Sequence, residues 1–307
     1  MRRFLLISML GMFALLSACQ ADKDQTALKK EIGDLEKAYE NKKAKEAASH
    51  LPLVAKYNEY LDKYPDDKAM TPRYLYRVAS IYYKEYQMDN ALAFLEKVLN
   101  NYDHDEVSPR SLMLKGKVYQ EQNNITQSII AFGELIRKYP NHPAAEEAKK
   151  LLPDEKVLQN KIAKLETMIE DTTVAEELNR GAYPQLSAAY IQYVATLPDA
   201  ADAPERLYKA GKYYAASRNF ANAVDTWKKV MDQYPKSGYA KNALFEAAYS
   251  YENILKNPEE ARKMYEMFLK KYPNDNLAPS AKFSLDNLGK SADELLNIIQ
   301  EKNKGKE

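Results

Sequence analysis

Apolar residues recur along the chain mainly at intervals of three and four positions, with polar residues between them. This periodicity is typical of amphipathic α-helices. No stretch shows the sustained alternation of apolar and polar residues that indicates a half-buried strand. Only nine glycines occur among the 307 residues, whereas tyrosine occurs 24 times. The pattern therefore predicts an all-α chain.

A short motif, usually tyrosine followed by proline and polar residues, recurs where these helical patterns end. Its copies are DKYPDD at 62–67, NNYDHD at 100–105, RKYPNH at 137–142, DQYPKS at 232–237 and KKYPND at 270–275, with ATLPDA at 195–200 as a weaker copy. Within each half of the chain successive copies are 37 or 38 residues apart, and Pro65 and Pro198 are 133 apart, as are Pro140 and Pro273. Self-similarity at a fixed period is the signature of repeat proteins. The chain is therefore predicted to consist of two duplicated halves.

Four of the units also share a tetrad of small and large residues. The tetrads are Ala79, Tyr82, Ala91 and Leu95; Gly116, Tyr119, Ser128 and Phe132; Gly211, Tyr214, Ala223 and Trp227; and, with one extra residue in the middle, Ala248, Tyr251, Ala261 and Tyr265. Two helices that cross closely need small side chains at the crossing, and large apolar residues one turn away fill the space between them. The proline after each second helix cannot continue an α-helix. Each unit is therefore predicted to be an antiparallel helix hairpin.

This constellation resembles the tetratricopeptide repeat (TPR), which pairs a small residue and Tyr in its first helix with Ala and an aromatic residue in its second. The resemblance implies a TPR-type α-solenoid of antiparallel helix hairpins. Its N-terminal half would cover 28–153, with strong repeats at 72–103 and 109–140. Its C-terminal half would cover 154–288, with strong repeats at 205–235 and 242–273. The segments 28–63 and 158–196 resemble degenerate units that precede each strong pair.

The end of the chain predicts one further helix. Gly289 is a helix stop, and Ser291 with Glu294 three residues later forms a capping box. An apolar stripe follows over 295–299. Because an open end of a repeat stack leaves apolar surface that must be covered, residues 289–307 are predicted to form a capping helix and tail.

The first residues, MRRFLLISMLGMFALLSAC, combine two arginines with an apolar stretch that ends at Cys19, the only cysteine. The stretch is shorter than the roughly twenty residues of a transmembrane helix and is typical of a signal peptide. The sequence Leu-Ser-Ala-Cys resembles the bacterial lipobox, in which the cysteine thiol receives a diacylglycerol and becomes the mature N-terminus. The resemblance implies a lipoprotein signal peptide at 1–18, lipidation of Cys19, a lipid-anchored linker at 19–27 and membrane contact through the lipid.

Residues after the cysteine bear on localisation. By analogy with enteric lipoproteins, Gln20 favours the outer membrane, with the protein on its periplasmic face. Asp22 and Asp24 resemble surface-export signals of some Bacteroidetes, which leaves surface exposure open. Removing the first eighteen residues takes away two arginines and no acids, which changes the formal net charge from +1 to −1. This balance gives no electrostatic footprint for nucleic acid.

The sequence contains no catalytic constellation and predicts no cofactor. There is no glycine-rich phosphate loop, and a lipid-bearing cysteine cannot also act as a nucleophile. The densest set of metal-ligand types, residues 103–106 (Asp-His-Asp-Glu), is contiguous and lacks the spacing that makes zinc motifs specific. It falls where other units carry an inter-repeat turn. We therefore predict a solvated turn there, no metal site and no enzyme activity.

The outer faces of the first helices are the candidate binding surface. In stacked helix pairs the first helices line the concave face, and aromatic residues dominate interaction hot spots. Met113 and Phe245 are among the residues expected to face away from the core there. The predicted partner contacts are Tyr76, Tyr83, Lys117, Tyr208, Lys212 and Tyr249. The alternative for each is packing against the neighbouring repeat, and the set does not match the carboxylate clamp of chaperone-binding TPR proteins.

Two functions are consistent with these features. The first is a non-catalytic scaffold that binds envelope proteins or peptides through the concave face, because the chain resembles TPR lipoproteins of outer-membrane barrel assembly and of the Tol–Pal system. The second is glycan capture, as in the TPR-containing starch-utilisation lipoproteins. Those proteins are longer and expose tryptophans, whereas this chain has one tryptophan, Trp227, at a predicted core position.

Overall fold

The computed structural model of the chain describes residues 23–40, 50–102, 106–170, 176–290 and 294. All regular secondary structure in these ranges is α-helical. The helices are α1 (residues 23–40), α2 (Leu51–Lys63), α3 (Thr71–Lys84), α4 (Met88–Asn101), α5 (Ser108–Glu121), α6 (Ile125–Lys138), α7 (Pro143–Leu151), α8 (Glu155–Glu170), α9 (Glu176–Thr196), α10 (Ala203–Ala216), α11 (Phe220–Gln233), α12 (Gly238–Asn253), α13 (Pro258–Lys271) and α14 (Ala278–Asn287). The prediction of an all-α chain is thus confirmed for the described residues. The predicted signal peptide, Cys19, residues 103–105 and most of the predicted C-terminal cap lie outside them.

The chain divides into two compact units, with the boundary between Lys150 and Leu151. Unit 1 contains α1 to α6 and nearly all of α7, and unit 2 contains α8 to α14. Consecutive helices pack as hairpins: α3 with α4 and α5 with α6 in unit 1, and α8 with α9, α10 with α11 and α12 with α13 in unit 2. Neighbouring hairpins touch through α4 and α5, through α9 and α10, and through α11 and α12. Each unit is therefore a series of helix hairpins, each packed against the next.

Glycines mark the closest helix crossings. A Cβ atom added to Gly116 would lie 2.2 Å from Cε1 of Phe132, and one added to Gly211 would lie 2.2 Å from Nε1 of Trp227. Both rings are buried. Because real Cβ atoms do not approach other atoms this closely, only glycine fits at these two positions. The tetrads of the sequence therefore locate the crossings correctly.

The turn inside each strong hairpin contains a residue with left-handed backbone. These residues are Tyr86 (φ 55°), Asn123 (φ 55°), Arg218 (φ 62°) and Lys256 (φ 52°). Just beyond them, a backbone N–H donates to the carbonyl of the tetrad tyrosine: Gln87 to Tyr82, Asn124 to Tyr119, Asn219 to Tyr214 and Asn257 to Tyr251, over 2.8–2.9 Å. Three of these bonds join residues five apart and the fourth joins residues six apart, and all four satisfy carbonyls that a helix end leaves free. Three of the second helices then begin with an asparagine cap, at Asn124, Asn219 and Asn257.

The tyrosine–proline motifs end the second helices as predicted. Helices α2, α6, α11 and α13 each stop two residues before the motif proline, since the residue before a proline disfavours helical geometry. The motif tyrosine also ties successive hairpins together. The hydroxyl of Tyr102 donates to the carbonyl of Pro65 at 3.1 Å, and that of Tyr234 donates to the carbonyl of Pro198 at 2.8 Å.

The weaker hairpins that open each unit carry buried tyrosines at their centres. Tyr60 in unit 1 and Tyr193 in unit 2 are buried, and their hydroxyls donate to Asp67 and Asp202. Partial burial alone would raise the pKa of Asp67. Hydrogen bonds from Tyr60, from Lys29 and from two backbone amides outweigh that effect and lower the pKa to about 2. The Asp67 carboxylate is therefore ionised in the folded state of unit 1.

Candidate functional site

Among the described residues, first helices line several cavities, and three of these have volumes above 300 Å³. Pocket A, of about 470 Å³, lies among α1, α2, α3 and α5. Pocket B, of about 370 Å³, lies among α3, α5 and the start of α7 and shares Tyr76 and Arg110 with pocket A. Pocket C, of about 330 Å³, lies between α10 and α12 and is also lined by Leu277, just before α14. The three volumes lie at the lower end of the range of roughly 300–1,000 Å³ that is typical of ligand-binding clefts.

Pocket A is polar, and most of its charges are already paired. Arg77 Nε lies 3.2 Å from Glu36 Oε1, which also accepts a hydrogen bond of 2.5 Å from the Tyr57 hydroxyl. Burial, with that bond to Glu36, raises the pKa of Tyr57. Arg73 pairs with Glu106 at 3.2 Å. These charged residues are bonded to one another. They therefore contribute to the packing of the first hairpins as much as to any binding surface.

Pocket B contains an arginine that is available for a ligand. Lys117 Nζ pairs with Glu147 Oε1 at 2.9 Å, which commits that lysine to α7. Arg110 is exposed and has no hydrogen bond or ion pair to the part of the chain that the structure describes. Tyr76 is half-buried beside it. Pocket B therefore offers one free guanidinium next to an aromatic ring.

Pocket C is aromatic and holds a carboxylate. Its ring-bearing residues are Tyr208 and Phe245, both half-buried, and Tyr249, which is 49% exposed. Glu246 Oε1 accepts a hydrogen bond of 3.4 Å from the Tyr208 hydroxyl. Burial, together with the charge of Glu246, raises the pKa of Tyr208 to about 12. The tyrosine therefore stays neutral at physiological pH and acts as a donor.

Pockets B and C occupy corresponding positions in the two units. A shift of 132 residues carries Tyr76 onto Tyr208, and it carries the α5 residues of pocket B onto the α12 residues of pocket C. The α5 set is Arg110, Met113, Leu114 and Lys117, and the α12 set is Asn242, Phe245, Glu246 and Tyr249. The same backbone thus presents two cations in unit 1, and one anion with two aromatic rings in unit 2.

The structure brings four of the six predicted groove residues together in pairs. Tyr76 and Lys117 line pocket B, and Tyr208 and Tyr249 line pocket C. Tyr83 lines a separate cleft of about 100 Å³ beside Tyr86. Lys212 is exposed but lines none of these four cavities. The pairs on α3 with α5 and on α10 with α12 are therefore the candidate site.

One expectation for this face is wrong. Met113, expected to point away from the core, is buried at 6% exposure. Its long apolar side chain forms part of the lining of pocket B instead of an exposed contact. Phe245, at the same repeat position, is also partly withdrawn, because it packs edge-on against Phe268 at 5.6 Å. The side chains of Met113 and Phe245 therefore line the pockets and do not project into solvent.

Sequence reasoning missed three polar residues of the site. Arg110, Asn242 and Glu246 line pockets B and C although none was among the predicted contacts. A signal for them exists in the repeat register. Arg110 and Asn242 both lie six residues before the small tetrad residue of their first helix, and Glu246 lies two residues before it. Aligning the repeats on that residue and comparing charges would have found them.

The described residues carry no signal for other kinds of site. Among them there is no group of three or more His, Cys, Asp or Glu side chains placed to hold a metal ion. None of the helices within the described ranges is both long and apolar enough to cross a membrane.

The hairpins and their pockets define a class of protein, the helical-hairpin repeat proteins. Four segments match the tetratricopeptide repeat family model, at residues 73–104, 110–142, 207–237 and 242–275. These segments are the hairpins α3–α4, α5–α6, α10–α11 and α12–α13. The chain thus contains four TPR repeats, each unit is a TPR-type α-solenoid, and the predicted fold class is confirmed for the described residues. TPR repeats are modules that bind protein or peptide partners.

Solved structures of similar fold share little sequence with this chain. A thermophilic TPR protein of Thermus thermophilus is 16% identical, with 71% of this chain and 100% of that chain covered and a TM-score of 0.31. The TPR2AB domain of yeast Sti1, in complex with pHSP90, is 14% identical, with 85% and 97% covered and a TM-score of 0.33. A tetratricopeptide repeat protein of Parabacteroides merdae is 14% identical, with 70% and 72% covered and a TM-score of 0.25. No curated protein matches the chain. Likenesses this low do not extend to function.

Proposed function

We propose that this chain is a non-catalytic, lipid-anchored TPR scaffold of the bacterial cell envelope. Its grooves bind extended segments of partner proteins or peptides, and the assembly serves outer-membrane protein assembly or envelope organisation. The observation that carries the binding role is the recurrence of a side-chain-sized pocket at the same repeat position in both units, pockets B and C. Repetition of a binding position suits a partner that runs along the first helices.

The composition of the two pockets supports a protein ligand. Both contain a tyrosine from the preceding hairpin, Tyr76 or Tyr208, with an ionisable or amide side chain beside it. Tyrosine and arginine are enriched among residues that carry binding energy at protein interfaces. Tyr249 adds a large exposed ring in unit 2. The free Arg110 and the exposed Tyr249 therefore stand out as candidate anchors for a partner.

The binding role is tested by quantitative affinity purification from envelopes of the native host. The paired variants Tyr76→Ala and Tyr249→Ala remove one groove ring from each unit. Asn100→Ala on α4 and Glu266→Ala on α13 change exposed residues of second helices and serve as matched controls. We expect a partner that co-purifies with the parent and with both controls but is depleted at least about fivefold by the groove variants, since a hot-spot residue contributes 1 kcal/mol or more. Equal recovery with all variants would contradict groove binding.

The anchoring part of the proposal rests on the sequence around Cys19. The apolar stretch before it and the Leu-Ser-Ala-Cys sequence support lipidation and export, and Gln20 after the cysteine favours the outer membrane as destination. A single acyl chain gives only marginal membrane binding, whereas several chains on one cysteine anchor stably. We expect mass spectrometry of the membrane fraction to find Cys19 acylated, and Cys19→Ala to move the protein out of that fraction. An unmodified Cys19 in a membrane-bound protein would contradict the anchor and leave the groove test unaffected.

A further inference from the structure

Pocket C in unit 2 contains a carboxylate with no counter-ion. Glu246 is half-buried, and its hydrogen bond comes from the neutral hydroxyl of Tyr208. No cation of the described residues pairs with it. The lysine on the same helix, Lys241, is held 2.6 Å from Asp275 instead. A partly desolvated carboxylate of this kind gains from a cation supplied by a ligand.

Aromatic side chains line the same pocket as this carboxylate, and two of them pack against other aromatic rings. The ring of Tyr208 lies 5.6 Å from that of Tyr239, and the ring of Phe245 packs against Tyr265 and Phe268. Tyr249, at 49% exposure, stands at the solvent side. The faces of aromatic rings attract ammonium and guanidinium groups within about 6 Å. A cavity lined by aromatic rings and by one carboxylate without a counter-ion among the described residues is thus complementary to a side chain that has an apolar stem and a positive end.

The corresponding pocket of unit 1 shows that this charge is not required by the fold. Where pocket C has Glu246 and Tyr249, pocket B has Leu114 and Lys117. Where pocket C has Asn242, pocket B has the unpaired Arg110. The helices of both units form with either set of side chains. The negative, aromatic character of pocket C is therefore a property of this position in unit 2 and is available for ligand selection.

We infer that pocket C binds a lysine or arginine side chain of an extended partner segment, with Glu246 as the counter-ion and the rings of Tyr208, Phe245 and Tyr249 around the aliphatic stem. This inference rests on the proposed function, since it names the side-chain chemistry that one groove pocket selects. It adds a specificity to the scaffold: segments with a basic residue at this point are retained over segments with an acidic or apolar one.

The only tryptophan provides a local probe for the test. Trp227 lies behind the pocket, and its Nε1 donates to the carbonyl of Tyr208 at 3.3 Å. With one tryptophan in the chain, a ¹⁵N-labelled sample gives one indole N–H signal. The probes are three capped pentapeptides, each with glycine and serine around a central lysine, norleucine or glutamate. Each is titrated while the indole signal is followed by NMR.

We expect the lysine peptide to bind about fivefold more tightly than the norleucine peptide, from one cation–π contact and one solvent-exposed ion pair. Glu246→Gln is expected to lower the affinity of the lysine peptide about threefold and to leave that of the norleucine peptide unchanged. Tyr249→Ala is expected to weaken both. Glu266→Gln, the same charge change on exposed α13, is expected to change neither.

Three outcomes would overturn the inference. Equal or tighter binding of the norleucine peptide would make pocket C an apolar site. Tighter binding of the glutamate peptide, or no response of the indole signal to any peptide, would remove the basic side chain as occupant. A response to maltohexaose but to none of the peptides would assign the pocket to a glycan. In each case, loss of the partner with the groove variants would still uphold the proposed scaffold, so the two failures are separable.

Discussion

Pocket B of unit 1 and pocket C of unit 2 lie at the same repeat position, but their side chains differ in charge. Behind them the helix crossings keep a small residue in both units: Gly116 of α5 corresponds to Ala248 of α12, and Ala79 of α3 corresponds to Gly211 of α10. In front, Arg110 and Lys117 of unit 1 are replaced by Asn242 and Tyr249 of unit 2. The duplicated fold keeps a small residue, glycine or alanine, at each corresponding crossing while its groove residues vary in charge. We infer that the groove residues set which partner each unit binds.

The largest expected effect is a loss of unfolding free energy when the glycines at the tight helix crossings are replaced. Gly211→Ala and Gly116→Ala each insert a methyl group at 2.2 Å from a buried ring. Overpacking of this kind costs about 2–3 kcal/mol of unfolding free energy, well above the gain from the better helix propensity of alanine. Urea unfolding, with peptide-resolved hydrogen exchange to locate the loss in unit 2 or unit 1, measures it.

Two other glycines are the matched controls for this prediction. A Cβ atom at Gly181 or at Gly33 meets nothing within 4 Å. Their replacement by alanine is expected to leave stability unchanged or to raise it by up to about 1 kcal/mol. If all four variants behaved alike, the tight crossings would be absent from both units.

The second effect concerns the carboxylate that tethers the first hairpin of unit 1. The pKa of Asp67 is lowered to about 2 in the folded state, below its ordinary value of 3.8. The stabilisation is therefore present above about pH 4 and is lost as the pH falls through the folded pKa. We expect Asp67→Asn to cost about 1–2 kcal/mol at neutral pH, allowing for solvent screening, and to flatten the decline between about pH 4 and pH 2.

Urea unfolding across that pH range provides the measurement, and the exposed neighbour Asp66 provides the control through Asp66→Asn. In unit 2 a carboxylate at a different repeat position, Asp202, accepts the hydrogen bond from Tyr193 and pairs with Arg206 at 2.6 Å. A decline that persisted in the Asp67→Asn variant would assign the acid sensitivity to another group.

The third effect exchanges the groove chemistry of the units. Asn242→Arg with Glu246→Leu gives pocket C the residues that pocket B has at those positions. We expect the preference for the lysine peptide over the glutamate peptide to invert, with a total change of about tenfold, because a free carboxylate is removed and a guanidinium is added. NMR titration of the Trp227 indole signal reports the result. An unchanged preference would place the selectivity outside these two positions.

The smallest effect is in the hairpin turns. Arg218 and Lys256 adopt left-handed backbone with φ of 62° and 52°, which costs a residue with a side chain about 1 kcal/mol. We expect Arg218→Gly and Lys256→Gly to raise stability by about 0.5 kcal/mol each, after the added flexibility of the unfolded chain is subtracted. Lys270→Gly, within helix α13, is the opposite control and is expected to destabilise by up to about 1 kcal/mol. Destabilisation at the turns as well would show that the left-handed geometry is not retained.

The fold was largely predictable because its causes are local and periodic. The small residue at Gly211 with the large one at Trp227 identifies a crossing, and the tyrosine–proline motifs identify where second helices stop. The left-handed turns were harder to find, since Tyr86 and Lys256 are not the glycine or asparagine that such backbone usually selects. The residue types at these positions do not predict left-handed backbone. The only indication is that a turn recurs at the same place in each repeat.

The site was predictable in part, for a physical reason. The role of large exposed rings such as Tyr249 could be predicted from helical periodicity. The periodicity places the ring on the outer face of a first helix, where a partner contact is the main alternative to packing against the neighbouring repeat. Charged residues such as Arg110 and Glu246 are common on any solvated helix face, so their type alone carries no signal. What distinguishes them is the lack of a counter-ion among the described residues, and that depends on the geometry of neighbouring helices.

Site-specific photocross-linking in the native host tests the central claim most directly. A benzophenone amino acid is placed at Tyr76 or Tyr249 in the grooves, and at Asn100 or Glu266 on the second helices. We predict partner adducts from the groove positions of one or both units and none from the second helices. Adducts arising equally from all four positions, or from the second helices alone, would contradict the assignment of function to the grooves.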